Sequence, residues 1–298
     1  MCLLWNFVQY AVDEVYILLE VVIKAFLTLP KLLFIILLGC VLAPVGVYLF
    51  FKLPPSADLS SLGYLQYQYQ ARATGYLDNS LAGIKANIEL GYRHLEVDVQ
   101  FTKDLVPVLG HTNLNGVQIS SILYRDLKKF RQITPLLQQQ GLFLPLKAIF
   151  PLIKQYDVHI ILNLKHTLSS RKAAKKLVKL IRKFKLEKQI ILSASDTFLL
   201  FYTLQYAPEL ITSLRMVPLE NTMRWVRQFH LYYSFEWLTD FLGVGLVIIP
   251  DELASETLIK KLLNQDVCVY VIFHHDSPKR QRLMQDLEVG VIYAPNDT

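Results

Sequence analysis

Residues 91–99 read GYRHLEVDV. Leu95, Val97 and Val99 alternate with His94, Glu96 and Asp98, which is the period of a β-strand. Successive strand side chains point to opposite faces, so Glu96 and Asp98 share one face, a single step apart. Two like charges that close repel unless a cation or a proton lies between them. The pair alone is equally compatible with a half-exposed strand that turns a wet acidic face to solvent.

Outward from this run, short β-rich segments alternate with helical ones. Strands are expected at Tyr67–Arg72, Arg93–Val99, Val106–Leu109, His159–Leu164, Gln189–Leu192, Ile211–Arg215, Val244–Ile249 and Val267–Ile272. Helical patterns lie between them, among them Ser80–Leu90, Arg171–Phe184 and Glu256–Asn264. Eight strands, most with room for a crossover, predict an α/β chain whose parallel sheet closes into a (β/α)8 TIM barrel. Active sites of such barrels form at the C-terminal ends of the strands, where Glu96 and Asp98 fall.

The chain has 298 residues, a net charge of +6 and a hydrophobic content of 53%, much of the excess lying before residue 53. From Leu33 to Phe51 there is no charged residue, and Lys31 and Lys52 flank the run. Nineteen residues at about 1.5 Å each span roughly 28 Å, enough to cross a hydrocarbon core. A transmembrane helix is therefore expected at about 33–51. The apolar run continues well past Cys40 and what precedes it is long and acidic, so Leu37–Cys40 does not read as a lipoprotein cleavage box. Residues 1–29 are mostly apolar, with Asn6, Gln9, Asp13, Glu20 and Lys24 recurring as one narrow polar stripe. That pattern suits a helix lying in the interface or one spanning beside a partner, and with the turn at Leu29–Lys31 it makes a two-helix membrane hairpin possible. Residues 1–52 thus read as a membrane-anchoring region, 53–66 as a linker containing Pro54-Pro55, and 67–298 as the barrel. The three cysteines, Cys2, Cys40 and Cys268, are too few and scattered for a disulfide framework or a thiolate metal site.

The segment DNSLAGIKANIELGYRHLEVDVQFTKDLVPVLGHTNL (78–114) resembles the glycerophosphodiester phosphodiesterase family. The matching motifs are Asp78-Asn79-Ser80, Glu96-Val97-Asp98-Val99, Thr102-Lys103-Asp104-Leu105 and Pro107 through His111. Leu162-Asn163-Leu164-Lys165 is similar to the family's Glu-x-Lys strand, and Ile191 to Asp196 to its Ser-Ser-Phe-Asp strand end. Val269–Ile272 and Gly290–Asp297 are similar to its closing strand and tail. The resemblance implies metal-assisted hydrolysis of glycerophosphodiesters or lysophospholipid-like diesters. By that resemblance Glu96, Asp98 and Asn163 hold a divalent cation, Ca2+ or Mg2+. His111 is then the general acid or base, and Lys165 and Arg72 grip the phosphate. Hard cations take oxygen ligands and offset carboxylate repulsion, which suits the Glu96/Asp98 pair.

Two positions depart from the pattern in ways that bear on activity. Ala71 stands where the family has its first histidine, and Asn163 where it has a carboxylate. Thr112 replaces the aspartate after His111, and Leu105 the turn glycine. A lost acid or base typically costs 10²–10⁴ in rate. A catalytically impaired protein that binds phosphate or lipid headgroups is therefore a second expectation. Of the histidines that could substitute for the missing one, His94 lies two residues deeper on the strand, while His166, His274 and His275 fall near the rim. Each also reads as a structural or surface histidine, and no spacing singles one out. The 171–188 segment carries nine Lys or Arg against Glu187 alone, which suits either a solvated barrel helix or attraction to an anionic membrane. No recognition motif supports a nucleic-acid partner. The sequence predicts a membrane-anchored protein and leaves the side of the membrane open.

Overall fold

The expected strand at 93–99 forms as β2 (His94–Phe101), which pairs in parallel with β4 (His159–Leu164), His94 lying opposite His159 and Asp98 opposite Asn163. The computed structural model describes residues 20, 22–23, 66–69, 76–110, 118–167, 169–216, 235–273 and 278–293. The chain divides into two compact units, Met1–Lys52 and Leu53–Thr298.

In the second unit the parallel ladder continues from β4 through β5 (Ile190–Ala194), β6 (Ile211–Arg215), β7 (Leu246–Pro250), β8 (Cys268–Phe273) and β9 (Gly290–Tyr293) to β1 (Gln66–Tyr69). β1 also pairs with β2, Gln68 opposite Leu95, so the curled sheet of eight parallel strands returns on itself as a TIM-barrel-like fold. Helices α1 (Leu81–Glu89), α4 (Phe150–Tyr156), α5 (Ser170–Phe184), α6 (Thr197–Tyr206), α7 (Phe235–Leu242), α8 (Glu256–Leu263) and α9 (Pro278–Asp286) supply the crossovers. Helices α2 (Tyr124–Ile133) and α3 (Pro135–Gln140) belong to an insertion between β3 (Pro107–Leu109) and α4.

One strand runs against expectation. β3, read from the sequence as a barrel strand, pairs antiparallel with β2, Val99 opposite Leu109, and is a hairpin partner outside the parallel ring. Only residues 102–106 separate it from β2, too few for a parallel crossover. The eighth parallel strand is β9, which bonds both β8 and β1.

Both faces of the strands are buried. Val97, Val99, Leu162, Leu192 and Leu214 face the helix layer, where α5 contributes Ala173, Leu177 and Ile181 at 3.6-residue spacing. Inside the ring Ile161, Ile191, Leu246, Ile248, Tyr270, Ile272 and Ile292 form a separate apolar core. Gly290 makes room for it, because a Cβ there would lie 2.1 Å from the Tyr270 ring. The insertion packs against β3 in its own cluster of Val108, Ile119, Leu127, Leu142 and Phe143.

Among the described residues no helix is long and apolar enough to cross a membrane. The expected membrane helix at 33–51, nearly all of the 1–29 segment and most of the 53–66 linker lie outside the described residues.

Candidate active site

The site begins with how Asp98 is held. Asp78 and Asn79 turn the chain just before α1, Asn79 taking a left-handed φ of 59° that short polar side chains tolerate best. Ser80 then caps the helix, its Oγ accepting from the Gly83 N–H at 3.0 Å. From that turn Asn79 donates Nδ2 to Asp98 Oδ2 at 3.1 Å and accepts the Asp98 backbone N–H on Oδ1 at 2.5 Å. Side chain and backbone of Asp98 are thus fixed by one residue. The other carboxylate oxygen, Oδ1, receives Asn163 Nδ2 at 2.6 Å and Lys165 Nζ at 2.8 Å. Asp98 is fully buried, whereas the Lys165 side chain keeps 30% exposure.

Glu96 lies one pleat deeper on the same face and is also buried. Its Oε1 receives Arg215 Nη2 at 2.5 Å, from the last residue of β6. Burial pushes the Glu96 carboxyl above its ordinary range, an effect that the Arg215 charge opposes and neighbouring Asp98 adds to. Sequence reasoning placed the strand at 211–215 but assigned Arg215 no role. The available signal was a cation closing Ile-Thr-Ser-Leu-Arg at the functional end of a barrel strand.

The ladder then sets a polar layer across four strands, with Asp98 opposite Asn163, Asn163 opposite Ser193 and Ser193 opposite Ser213. Arg215 Nε reaches toward Ser193 Oγ at 3.5 Å, and the buried Ser213 Oγ makes no hydrogen bond. One layer down the pattern turns apolar, Glu96 facing Ile161, then Ile191, then Ile211.

The donor set does not fit the Ca2+ or Mg2+ that the resemblance implies. Glu96 and Asp98 already hold Arg215 and Lys165, so the two carboxylates carry two fixed protein cations. Asn163 turns an N–H, and not its amide oxygen, toward Asp98. Among the described residues no group of three or more His, Cys, Asp or Glu side chains is placed to hold a metal ion. A hard dication needs several oxygen ligands, and among the described residues each of the two carboxylates already pairs with a protein cation.

His111, Arg72 and the Ala71 position lie outside the described residues, as do His274 and His275. The chain leading to His111 is nevertheless pinned to the site. Gly110 donates its N–H to the Asp98 carbonyl at 3.0 Å, and its own carbonyl accepts Gln100 Nε2 at 3.0 Å. Its φ is +146° and a Cβ would meet the Phe143 ring at 2.7 Å, so glycine is required there. His94 sits at the start of β2 beside His159, ring centroids 5.5 Å apart, and burial with the neighbouring imidazole holds it below the usual histidine range.

His166 follows Lys165 onto the rim, its Nδ1 3.2 Å from Asp196 Oδ2 and its side chain 73% exposed. Asp196 caps α6 through the Leu199 N–H and accepts the Ser170 hydroxyl. Beside it a groove of about 500 Å³ opens between the first turns of α5 and α6, lined by His166, Arg171, Lys172, Phe198 and Tyr202 among others.

Residues 69–210 match the model of the Glycerophosphoryl diester phosphodiesterase family. No curated protein sequence matches the chain significantly. Among solved structures, a glycerophosphodiester phosphodiesterase from Parabacteroides distasonis shares 20% identity over 77% of this chain and 92% of that one, with a TM-score of 0.61. A putative enzyme of the same name from Galdieria sulphuraria superposes with a TM-score of 0.64 at 14% identity, over 80% and 94% of the two chains. An Oleispira antarctica phosphodiesterase, solved in complex with the product sn-glycerol-3-phosphate, gives 0.62 at 15% identity over 78% and 94%. These likenesses carry the fold, and the family match covers the polar layer from Asp98 through Ser193. The family's model thus matches just under half of the chain.

Proposed function

We propose that this protein hydrolyses glycerophosphodiesters, or lysophospholipid-like diesters, at a bilayer to which residues 1–52 tether it. The observation that carries the reading is the pair of cations at the strand ends, Lys165 on Asp98 and Arg215 on Glu96, within a fold of this family. Cations aimed at a phosphodiester bind its anionic oxygens and stabilise the charge that develops on them in the transition state. Lys165 and Arg72 grip the phosphate, and His111 exchanges the proton between water and leaving alcohol. Gly110, the residue before His111, donates its N–H to the Asp98 carbonyl.

The bilayer part of the reading rests on sequence and on α5. Lys172, Lys175, Lys176, Lys179 and Lys183 recur at helical spacing as one exposed stripe, opposite the buried Ala173, Leu177 and Ile181. Lys176 also donates to the Asp104 carbonyl at 2.7 Å. No acidic residue interrupts the helix. Each such lysine near an anionic leaflet is worth about 1 kcal/mol.

One observation favours a second reading, a binding protein with little turnover: Asn163 supplies an amide N–H where the family has a carboxylate. The full chain, purified in mild detergent and given glycerophosphocholine, separates the two. Release of glycerol phosphate, reduced about 10²–10⁴-fold in His111→Ala, is expected. Tight binding of the diester with no turnover in wild type would leave the binding reading in its place. Sedimentation with vesicles tests the tether, since a chain that stays in solution without detergent or lipid contradicts it.

A further inference from the structure

We infer that Arg215 and Lys165 together stand in for the divalent cation, so that the site takes a phosphate anion on protein charge alone. The inference rests on the phosphodiester reading and goes beyond it. Enzymes of this family generally depend on a divalent cation, whose positive charge holds adjacent carboxylates together and meets the substrate phosphate. Both tasks fall here to side chains. Arg215 Nη2 lies 2.5 Å from Glu96 Oε1, and Lys165 Nζ lies 2.8 Å from Asp98 Oδ1.

The burial gradient gives the pair its direction. The carboxylates are 1% and 0% exposed, while the Arg215 and Lys165 side chains are 14% and 30% exposed. Negative charge is sealed beneath and positive charge is reachable from solvent. Donors remain for a ligand. A guanidinium has five N–H bonds and an ammonium three. Among the described residues Arg215 uses Nη2 on Glu96 and Nε toward Ser193, and Lys165 makes its contact with Asp98. Arg215 Nη1 and two Lys165 protons stay uncommitted, and a tetrahedral oxyanion with several acceptor oxygens is the ligand class that uses both. The buried Ser213 hydroxyl, two residues before Arg215 on the same strand face, adds a donor that makes no hydrogen bond in the protein.

The substitution of Asn163 for a carboxylate fits this account. Among the described residues two carboxylates pair with two protein cations, and a carboxylate at 163 would add negative charge beside Lys165. Asn163 instead gives Asp98 an N–H, which keeps the carboxylate in place without adding charge.

Calorimetric titration of the full chain in detergent with glycerol 3-phosphate, once in EDTA and once in millimolar Ca2+ or Mg2+, tests the inference. Binding in EDTA is expected, changed less than about threefold by either cation. Arg215→Met paired with Glu96→Gln, which avoids stranding a buried carboxylate, should weaken binding about 10–100-fold, as loss of a charged hydrogen bond does. Lys165→Met should weaken it similarly. Binding only in the presence of a cation, or unaltered in the paired variant, would overturn the inference and leave the phosphodiester reading standing. No binding under either condition would overturn that reading, and this inference with it.

Discussion

The barrel interior has two unlike sides. Strands β2, β4, β5 and β6 point Glu96, Asp98, Asn163, Ser193, Ser213 and Arg215 inward, whereas β7, β8 and β9 supply Leu246, Ile248, Tyr270, Ile272 and Ile292. Apart from Arg215, whose side chain is 14% exposed, the residues of both sides are buried, so exposure hardly distinguishes them. Their cohesion does. The apolar side gains by contact and transfer from water, with no geometry to satisfy beyond volume. The polar side has already spent desolvation on two carboxylates and recovers it only through specific partners. Stability is expected to concentrate on one side and chemistry on the other.

Substitutions on the two sides should therefore diverge. Ile248→Ala removes buried volume from the apolar side and should cost about 2–5 kcal/mol of unfolding free energy. Glycerol 3-phosphate affinity should stay within a few-fold of wild type. Urea unfolding followed by circular dichroism, with calorimetry on the same samples, checks both halves. A parallel loss of affinity would mean that the two sides are not separable.

Arg215→Met should cost about 3 kcal/mol at neutral pH, the lower end for breaking a buried pair, because the stranded Glu96 carboxyl can take up a proton. Adding Glu96→Gln should recover most of the loss. If the double variant is as unstable as the single, the ion pair is not what holds Arg215.

Overpacking gives a smaller effect. Gly290→Ala drives a methyl into the Tyr270 ring and should cost about 1–3 kcal/mol, partly regained when Tyr270→Leu is added. Unchanged stability would show that the ring has space to move.

The smallest effect is a slope with pH. Glu96 has a higher pKa folded than its ordinary 4.5, so the native chain holds a proton that the unfolded chain releases above that value. The contribution is complete below 4.5 and is lost as pH rises through the folded value. Wild type should accordingly lose stability relative to Glu96→Gln as the pH rises above 4.5. A constant gap would place the Glu96 value where an exposed carboxyl has it, and a change of the opposite sign would place it lower.

Much of this division was legible in the sequence, and what was not has a physical reason. The 93–99 alternation, the 159–164 strand and the amphipathic 171–184 helix are local patterns with periods of 2 and 3.6, and each forms within a residue or two. The Glu96/Asp98 pairing on one face follows from the same period. Strand direction is not local. Pro107-Val108-Leu109 has the same composition whether it runs with β2 or against it, and only the five-residue connection tells them apart. β9 is four residues long and was read as part of the closing tail. Arg215 meets Glu96 across 119 residues of chain, a contact that the register of intervening strands creates and no spacing motif announces.

The central claim is that the polar side is a working phosphodiester site built on protein cations, and turnover in EDTA tests it most directly. Initial rates of glycerol phosphate release from glycerophosphocholine are to be measured for the full chain, for Lys165→Met and for Arg215→Met with Glu96→Gln. The account predicts release by wild type that persists in EDTA and falls at least about 10²-fold in each variant. Release that stops in EDTA and returns with Ca2+ or Mg2+ would contradict it.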